Sequence, residues 1–367
     1  MYIHERKNWP NLTWDNAAIT LLLSEVRHAQ GRLLGQMESL GFQLREEATL
    51  ATLTQDVVKT SEIEGEKLDA QQVRSSIARR MGIDIAALPH ADRSVEGIVE
   101  VMLDATRHYQ RPLDADRLFN WHAALFPTGR SGMQRITVGN WRTEASGPMQ
   151  VVSGAYGRER VHYEAPSHDK LNAEMTRFLA WLNAPPSIDP VIASALAHFW
   201  FVTIHPFDDG NGRIARAIAD MMLARSENSP ERFYSMSAQI QRERNAYYDV
   251  LEACQRGDVD VTAWIKWYLL CLGRAIGSAN DILGLVLKKA TFWKHHEGET
   301  FNDRQRIIIN RLFDGFEGKL TSSKWAKLTK SSQDTALRDI SDLVKRRVLV
   351  KDEAGGRSTS YHLCETP

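Results

Sequence analysis

The sequence predicts a mainly helical protein that carries one isolated β-hairpin and ends in a small unit of helices and strands. Apolar residues recur at helical spacing through most of the 367 residues. Apolar residues alternate with others between positions 148 and 166, which predicts the hairpin. A glycine-rich turn between two apolar helices, at residues 205–216, carries the residues on which the functional interpretation depends.

Composition indicates an ordinary soluble globular protein. Charged residues make up 25% of the chain and hydrophobic residues 43%, as is typical of globular domains. The 46 Lys and Arg residues balance 46 Asp and Glu residues, so the overall charge gives no reason to expect nucleic-acid or membrane binding. The length predicts two or three domains.

Cysteine usage and hydropathy predict a cytoplasmic protein. The cysteines Cys254, Cys271 and Cys364 have no metal-binding spacing and form no even framework, which favours a reducing compartment. The first residues lack the apolar core of a signal peptide. The best membrane-spanning candidate, from Trp264 to Gly277, is too short to cross a bilayer. We therefore expect no membrane segment.

The N-terminal part is predicted to be helical. Asp15 is positioned to cap the first helix, and Gly41 interrupts the apolar pattern before a second helix at 44–64. Gly65 is expected just past the end of that second helix, in the left-handed conformation. A third helix is expected at 71–81.

The middle of the chain is predicted to form a helical core that the hairpin interrupts. The hairpin has Met149 and Val151 on one arm and Val161 and Tyr163 on the other. Because it stands alone among helices, it is not expected to belong to an ordinary sheet. Helices of the core are predicted at 95–109, 114–126, 171–182, 189–204, 213–225, 237–255 and 262–277.

A linker is predicted at 294–300, ahead of a separate C-terminal unit. Residues 301–367 hold thirteen Lys and Arg against nine Asp and Glu, a net charge of +4, which is compatible with DNA binding but small. The order of elements resembles a winged helix, a module that binds either DNA or protein, and both alternatives stay open. Helices are predicted at 303–313, 321–328 and 332–347, and strands at 348–351 and 358–363.

The central turn has the residue types of a phosphate-binding site. Gly210 and Gly212 allow backbone angles at which successive N–H groups point inward, which forms an anion-binding concavity at a helix N-terminus. Arg213 and Arg216 share one face of the following helix. Both guanidinium groups can bind a polyphosphate bidentately.

His205 and Asp209 complete a site for phosphate transfer. Histidine can act as a general base because its unperturbed pKa lies near neutrality, and the Asp209 carboxylate is a hard oxygen ligand suited to Mg²⁺ bound to phosphates. The alternative is a helical hairpin whose aspartate and arginines only pair on the surface. His122 is interpreted as a core histidine. His198 is interpreted as structural, because a metal site shared with His205 would lack a third ligand.

Three carboxylates cluster where the second helix ends, at Glu62, Glu64 and Glu66. The negative end of the helix dipole disfavours carboxylates at this position. One interpretation is a solvated acidic turn, which would be harmless. The other is that one of the carboxylates has a cationic partner elsewhere in the fold.

The run His205-Pro-Phe-Asp-Asp-Gly-Asn-Gly-Arg-Ile-Ala-Arg216 resembles the signature of Fic-domain enzymes, His-x-Phe-x-Asp/Glu-Gly-Asn-Gly-Arg-x-x-Arg, without a departure. Enzymes of this family transfer a nucleotide monophosphate, usually AMP from ATP, to a hydroxyl side chain of a target protein. The resemblance implies a mainly α fold with a Fic-type helical core and a β-hairpin flap at 96–293, an N-terminal helical cap at 1–95 and a C-terminal winged-helix domain at 300–367.

The resemblance also implies roles for individual residues. His205 would be the catalytic base, Asp209 would hold Mg²⁺, and Asn211 would help position the α-phosphate of the substrate ATP. Phe207 would anchor the turn in the core. Relatives that transfer a phosphate group have lysine where Gly210 stands, so Gly210 favours nucleotidyl transfer. The nucleotide-binding residues would be Gly210, Asn211, Gly212, Arg213 and Arg216.

Two further features resemble the same family. Thr60-x-x-x-Glu64-Gly65 resembles its inhibitory motif, in which the glutamate pairs with the second arginine of the signature, here Arg216. The hairpin at 148–166 resembles the flap, on which a target protein docks by strand pairing. The resemblance therefore implies a self-inhibited AMP transferase, and it leaves open the removal of AMP as a reverse activity.

A second interpretation is a winged-helix DNA-binding regulator that uses the Fic core as a nucleotide sensor. The C-terminal unit at 300–367 motivates it, and it predicts salt-dependent DNA affinity that does not depend on His205. The sequence does not distinguish ATP from other nucleoside triphosphates, and a homodimer stays open.

Overall fold

Helices dominate the protein. The computed structural model describes residues 1–83, 90–154, 158, 160–314, 316, 318–352 and 359–364, apart from the Ser146 side chain. The described residues form fourteen α-helices and six short strands. All six strands pair as separate two-stranded antiparallel hairpins, so the predicted mainly α class is confirmed.

Capping residues mark helix ends in the N-terminal part, as predicted from the sequence. The Asp15 side chain accepts hydrogen bonds from the N–H groups of Ala17 and Ala18, and Gly41 is the residue before the second helix. Gly65 has φ 84°, the left-handed conformation that was predicted. The helices are α1 (Asn16–Glu38), α2 (Phe42–Ile63) and α3 (Ala70–Met81).

Two central helices form the scaffold of the candidate site. The first is almost entirely buried, and it packs closely against the second. These helices are α7 (Pro190–Ile204) and α8 (Asn211–Glu227). Around them lie α4 (Arg93–Arg107), α5 (Ala115–Leu125), α6 (Leu171–Asn183), α9 (Met236–Arg242), α10 (Arg244–Gln255) and α11 (Thr262–His295).

Two of the core helices differ from their predictions. The single helix expected at 237–255 breaks at Glu243, which has φ −110° and ψ 26°. Its carboxylate pairs with Arg274 on α11 at 2.5 Å, a tertiary contact that apolar spacing cannot show. The helix predicted at 262–277 does not end near Gly277. It is α11, which continues to His295, inside the predicted linker.

The helix α11 is longer than the membrane-spanning candidate expected from the sequence. By length and composition this helix could cross a membrane, a test that the core helix of a soluble protein also passes. Its first half is buried against α1, α2 and α9, with Trp264, Tyr268 and Leu272 among the residues that solvent does not reach. The helix is therefore a core element of this fold.

Two hairpins lie between α5 and α6. The first, β1 (Arg130–Ser131) with β2 (Gln134–Arg135), was not predicted, because strands of two residues leave no alternation to read. The second, β3 (Gln150–Ser153) with β4 (Arg160–Glu164), confirms the predicted hairpin. Part of its predicted turn, residues 155–157, lies outside the described residues.

The C-terminal unit has the predicted order of three helices and two strands. Leu320 also forms a bridge with Tyr361 beside the strand pair. The turn between the strands, at 353–358, lies outside the described residues, and the winged helix stays an interpretation. The elements are α12 (Asp303–Phe313), α13 (Ser322–Thr329), α14 (Gln333–Lys345), β5 (Leu349–Lys351) and β6 (Tyr361–Leu363).

Two hydrophobic clusters hold the described residues together. The larger runs without interruption from the N-terminal helices through the central ones, from Ile3 to Val286. The smaller belongs to the C-terminal unit and includes Phe292, which lies in the last turns of α11. The cap and core predicted at 1–95 and 96–293 thus share one hydrophobic core, while their boundary remains a prediction.

A partly buried charge network joins the C-terminal unit to α2. Lys289 on α11 lies 2.8 Å from the Glu47 carboxylate on α2 and 2.9 Å from the Asp314 carboxylate. Arg74 on α3 lies 2.6 Å from Glu47. Two cations and two carboxylates therefore neutralise one another where the C-terminal unit meets the inner helices.

Candidate active site

The central turn connects α7 to α8 through two left-handed residues. His205 ends α7 with φ 52° and ψ 58°, and Gly210 begins α8 with φ 80°. A Cβ atom on Gly210 would lie 2.9 Å from Cε2 of Phe126. Both the backbone angle and the lack of space therefore require glycine at position 210.

His205 is held as a neutral base. Its Nδ1 atom lies 3.1 Å from the Val202 carbonyl oxygen, which can only accept a hydrogen bond, so Nδ1 carries the proton and Nε2 is left unprotonated. Burial lowers the pKa of His205 from 6.5, Arg142 lowers it further, and the Glu64 and Asp209 carboxylates partly oppose this. The ring can therefore accept a proton at Nε2 near neutral pH.

Side chains inside the turn fix its shape. Asn211 accepts a hydrogen bond from the Phe207 N–H at 3.0 Å and donates one to the Phe207 carbonyl at 2.8 Å. The Phe207 ring is fully buried and stacks on His122 with 4.2 Å between ring centres. The anchoring role expected of Phe207 is visible here, while Asn211 braces the loop and keeps one further lone pair and one N–H.

His122 and His198, which were interpreted as core and structural histidines, are both buried. His122 is buried, and its Nε2 lies 3.2 Å from the Asp209 carbonyl oxygen, while burial lowers its pKa to about 4. His198 is also buried, with Nε2 2.9 Å from the Tyr247 hydroxyl, and burial lowers its pKa to about 3. Both rings are therefore neutral at physiological pH.

Asp209 lies at the mouth of the turn. One of its carboxylate oxygens accepts a hydrogen bond from the Ser131 hydroxyl on the unpredicted β1–β2 hairpin, and the other lies 2.5 Å from the Gly210 N–H. The neighbouring Asp208 accepts from the Thr137 N–H at 2.8 Å. A carboxylate has about four acceptor positions, so Asp209 retains capacity for a cation.

Arg216 is buried and held by the end of α2. Its Nη2 lies 2.6 Å from Oε1 of Glu64 and 3.0 Å from the Thr60 carbonyl oxygen, and its Nε donates to the Thr60 hydroxyl at 2.7 Å. The structure thus brings together the glutamate and the arginine whose pairing the resemblance implied. Thr60 contributes two of the three contacts.

Gly212 provides the space for this pair. A Cβ atom on Gly212 would lie 2.3 Å from Oε1 of Glu64 and 3.1 Å from Nη1 of Arg216. The glycine that leaves room for a ligand in the turn therefore also leaves room for the Glu64 carboxylate.

Each carboxylate of the acidic turn has its own cation. Beside the pair that Glu64 forms, Nη1 of Arg213 lies 3.1 Å from Oε2 of Glu66, and Lys59 lies 2.7 Å from Glu62. The sequence predicted one cationic partner, and it gave no sign that the first signature arginine would also be paired. The structure therefore supports the interpretation with cationic partners, although the carboxylates also remain partly exposed.

Two buried guanidinium N–H groups near the turn have no partner. Among the described residues, Nε of Arg213 and Nη1 of Arg216 are buried and make no hydrogen bond. The first turn of α8 also leaves its N–H groups without intrahelical partners. Buried donors without acceptors are costly, so an anion in this turn would remove an energetic penalty.

Arg142 connects the turn to the hairpin, and sequence reasoning assigned it no role. Its backbone N–H donates to the Pro206 carbonyl at 2.9 Å, its Nε donates to the His205 carbonyl at 2.9 Å, and its Nη2 donates to the Pro166 carbonyl. The side chain is 3% exposed. A single buried arginine therefore fixes the turn that carries the base relative to the end of β4.

The β3–β4 hairpin, which we call the flap, is fastened along one strand and open along the other. His162 on β4 bridges Ser153 and the Glu252 carboxylate, at 2.5 Å each, and Arg256 donates to the Val161 carbonyl at 2.7 Å. In the described part of the chain, β3 pairs only with β4. The outer edge of β3 therefore keeps unpaired backbone groups.

The fold is helical, and the site combines a neutral histidine, a glycine-rich turn and two arginines that each pair with a glutamate. A buried arginine joins this turn to the end of a β-hairpin. Comparison with known proteins agrees with this description. Residues 112–223 match the model of the Fic/DOC family, and residues 2–83 match a domain of unknown function, DUF4172. The match to the Fic/DOC model includes the central turn and covers about a third of the chain.

Relatives and solved structures extend this match. The chain is 30% identical over 204 residues to the protein adenylyltransferase Fic of Culex quinquefasciatus and 34% identical over 114 residues to that of Drosophila yakuba. These alignments span 54% and 30% of this chain but only 36% and 22% of the relatives, so the chain covers about a third or less of their length.

Two solved structures share the fold. A Fic family protein from Desulfovibrio desulfuricans aligns with a TM-score of 0.52 at 21% identity, over 95% of this chain and 97% of that one. A Fic domain containing signaling protein from Bacteroides thetaiotaomicron aligns with a TM-score of 0.51 at 18% identity, over 73% of this chain and 97% of that one. At these identities the likeness concerns the fold alone.

Proposed function

We propose that this protein is a protein adenylyltransferase, which transfers AMP from ATP to a hydroxyl side chain of a target protein. The observation that carries the proposal is a neutral His205 with an unprotonated Nε2, beside a turn in which Arg213 and Arg216 keep buried N–H groups that have no partner among the described residues. A base next to unsatisfied cationic donors suits transfer from a phosphate chain. The relatives named protein adenylyltransferase support the same assignment.

In the proposed reaction the acceptor hydroxyl oxygen attacks the α-phosphorus of ATP. Its proton passes to Nε2 of His205, a new oxygen–phosphorus bond forms, and the bond to pyrophosphate breaks. The N–H groups at the start of α8 bind the phosphate chain, and Arg213 and Arg216 bind its outer phosphates. Asn211 acts by holding the turn in shape. Positioning and charge neutralisation supply most of such catalysis.

Asp209 is the residue we propose to hold Mg²⁺. Among the described residues no cluster of three or more His, Cys, Asp or Glu side chains could form a complete metal site. Mg²⁺ is commonly bound by one or two carboxylates together with substrate phosphates, and Asp209 fits that arrangement. When bound with ATP, the ion would neutralise charge on the phosphates.

The target protein is proposed to dock on the flap. The outer edge of β3 offers unpaired backbone groups for strand addition. Because Arg142 joins the carbonyls of His205 and Pro166, a segment paired with the flap would be held in a fixed relation to the catalytic base. The target itself is proposed only as a protein with an extended hydroxyl-bearing segment.

Self-inhibition by Glu64 is the proposed regulation. Glu64 engages Nη2 of Arg216, so this guanidinium cannot bind the outer phosphates bidentately while the pair is formed. We also propose that Glu64 supports the reverse reaction, removal of AMP, by activating water. A cytoplasmic location is proposed as well, because the chain has only three cysteines and they lack metal-binding spacing.

The second candidate is a DNA-binding regulator built on the C-terminal unit. The net charge of that unit favours it, but two of its arginines are engaged in ion pairs, Arg304 with Asp339 and Arg346 with Glu299. The outward face of α14 carries Asp334 as well as Arg338. The enzyme is therefore the better-supported function.

Incubation with ATP labelled at the α-phosphate, Mg²⁺ and the Glu64→Gly variant separates the two candidates. Covalent label on any protein supports the transferase. Absence of label, together with salt-dependent binding of duplex DNA that survives His205→Ala, would favour the regulator.

A further inference from the structure

We infer that Glu66 is a second inhibitory glutamate, which withholds Arg213 from the nucleotide as Glu64 withholds Arg216. The inference rests on the proposed function, because it concerns regulation of the same site. It goes beyond the Thr60–Gly65 motif, which ends one residue before Glu66.

The geometry of Arg213 supports this role. Its side chain is 9% exposed, and its Nη1 lies 3.1 Å from Oε2 of Glu66. The guanidinium carbon lies 4.9 Å from the ring centre of Phe126, so stacking holds the group in place. Nε has no partner among the described residues. The Arg213 side chain is thus held at the turn, and one of its two terminal nitrogens, Nη1, pairs with a carboxylate.

A single backbone motif positions both glutamates. The Gly65 N–H donates to the Glu62 carbonyl at 3.0 Å, and the Glu66 N–H donates to the Ser61 carbonyl at 3.0 Å. With the left-handed Gly65 these bonds form a Schellman motif, which fixes the end of α2. Glu66 lies past the end of the helix, but its backbone is fixed by this hydrogen bond.

Each of the two arginines pairs with one of the two glutamates. Arg213 and Arg216 lie three residues apart on one face of α8, and Glu64 and Glu66 flank the left-handed glycine. One displacement of this turn would break both ion pairs together. Substitution of Glu64 alone leaves Arg213 paired, so such a variant remains partly inhibited.

The expected size of the effect follows from exposure. Glu66 is 40% exposed and Glu64 30%, and Arg216 is more deeply buried than Arg213, at 2% against 9%. Ion pairs with one exposed partner are weak, and the loss of the Glu66 pair is expected to change ATP affinity and transfer by about two- to fivefold. The Glu64 pair should be the stronger restraint.

The test compares Glu66→Gln, Glu64→Gly, the double variant and Glu62→Gln combined with Glu64→Gly, all in the full chain. Glutamine keeps the size of the side chain and removes its charge. Glu62 is the matched control, because it carries the same charge in the same turn but pairs with Lys59. ATP binding is measured by calorimetry, and transfer by label from α-labelled ATP.

We expect Glu66→Gln to strengthen ATP binding and to speed labelling by about two- to fivefold in the Glu64→Gly background, with no change from Glu62→Gln. Suppose that Glu64→Gly labels protein but Glu66→Gln adds nothing, or adds no more than Glu62→Gln. The inhibitory role of Glu66 is then refuted, while the proposed transferase function stands. If the double variant binds ATP and labels no protein, the proposed function itself fails.

Discussion

Oε1 of Glu64 accepts a 2.6 Å hydrogen bond from Nη2 of Arg216, at the point where α2 ends against α8. Thr60 holds the same guanidinium through its hydroxyl and its carbonyl. The Arg216 guanidinium is therefore held in a fixed orientation, in which it binds the Glu64 carboxylate.

Glu64→Gly should increase AMP transfer, because it frees Arg216 for the phosphates. Glu62→Gly should have little effect, since Glu62 pairs with Lys59. Arg216→Ala should be inactive even in the Glu64→Gly background, because it removes the guanidinium that binds the phosphates as well as the partner of Glu64. Self-labelling at matched protein concentration measures all of these, and wild-type labelling as fast as that of Glu64→Gly would refute self-inhibition.

His205→Ala should abolish transfer while leaving ATP binding largely intact. Removal of a general base typically lowers the rate by about 10²–10⁴-fold, and His205 makes no contact that the phosphate ligands need. The comparison is made in the Glu64→Gly background, with ATP affinity measured alongside labelling. Equal labelling with and without His205 would exclude its role as the base.

The rate of transfer should fall at acid pH with a midpoint below 6.5. Burial lowers the pKa of His205, and the base is active only when it is unprotonated. The rate is therefore constant above that lowered pKa and is lost as pH falls through it. In the Glu64→Gly variant the pKa should be lower still, because the Glu64 carboxylate raises it. A midpoint clearly above 6.5 would point to a different base.

Arg142→Met should destabilise the protein and impair transfer. It leaves the carbonyls of His205 and Pro166 without their donor, at a cost of about 1–3 kcal/mol for each buried group, and it releases the flap from the turn. Urea unfolding and labelling measure the two effects. Arg107→Met is the control, because Arg107 is exposed on α4 and makes no ion pair in the described part of the chain. Equal stability of both variants would contradict this prediction.

The C-terminal unit should be dispensable for the chemistry. It contributes no residue to the turn, and its hydrophobic cluster is separate from the main core. The cut belongs before Phe292, which packs in that cluster, and after Lys289, which neutralises Glu47. A chain ending at Ala290 should bind ATP and label itself. ATP binding without labelling would show that the unit is needed for transfer.

Local interactions were predictable from the sequence, whereas long-range ones were not. Caps and apolar spacing predicted most helices within a few residues, as at Asp15 and Gly65, because these signals act over one helical turn. The break at Glu243 and the continuation of α11 past Gly277 were not predictable in this way. Both depend on packing against distant helices, which overrides weak local preferences.

For this protein the sequence by itself determined the helical class, the composition of the glycine-rich turn and the resemblance of that turn to the Fic signature, because each depends on residues that are neighbours in the chain. The pairing of Glu64 with Arg216 was implied by resemblance alone. Only the tertiary structure decided that Glu66 faces Arg213 and that Arg142 joins the flap to the base. These pairs lie tens to more than a hundred residues apart, and only folding brings their charges within a few ångströms.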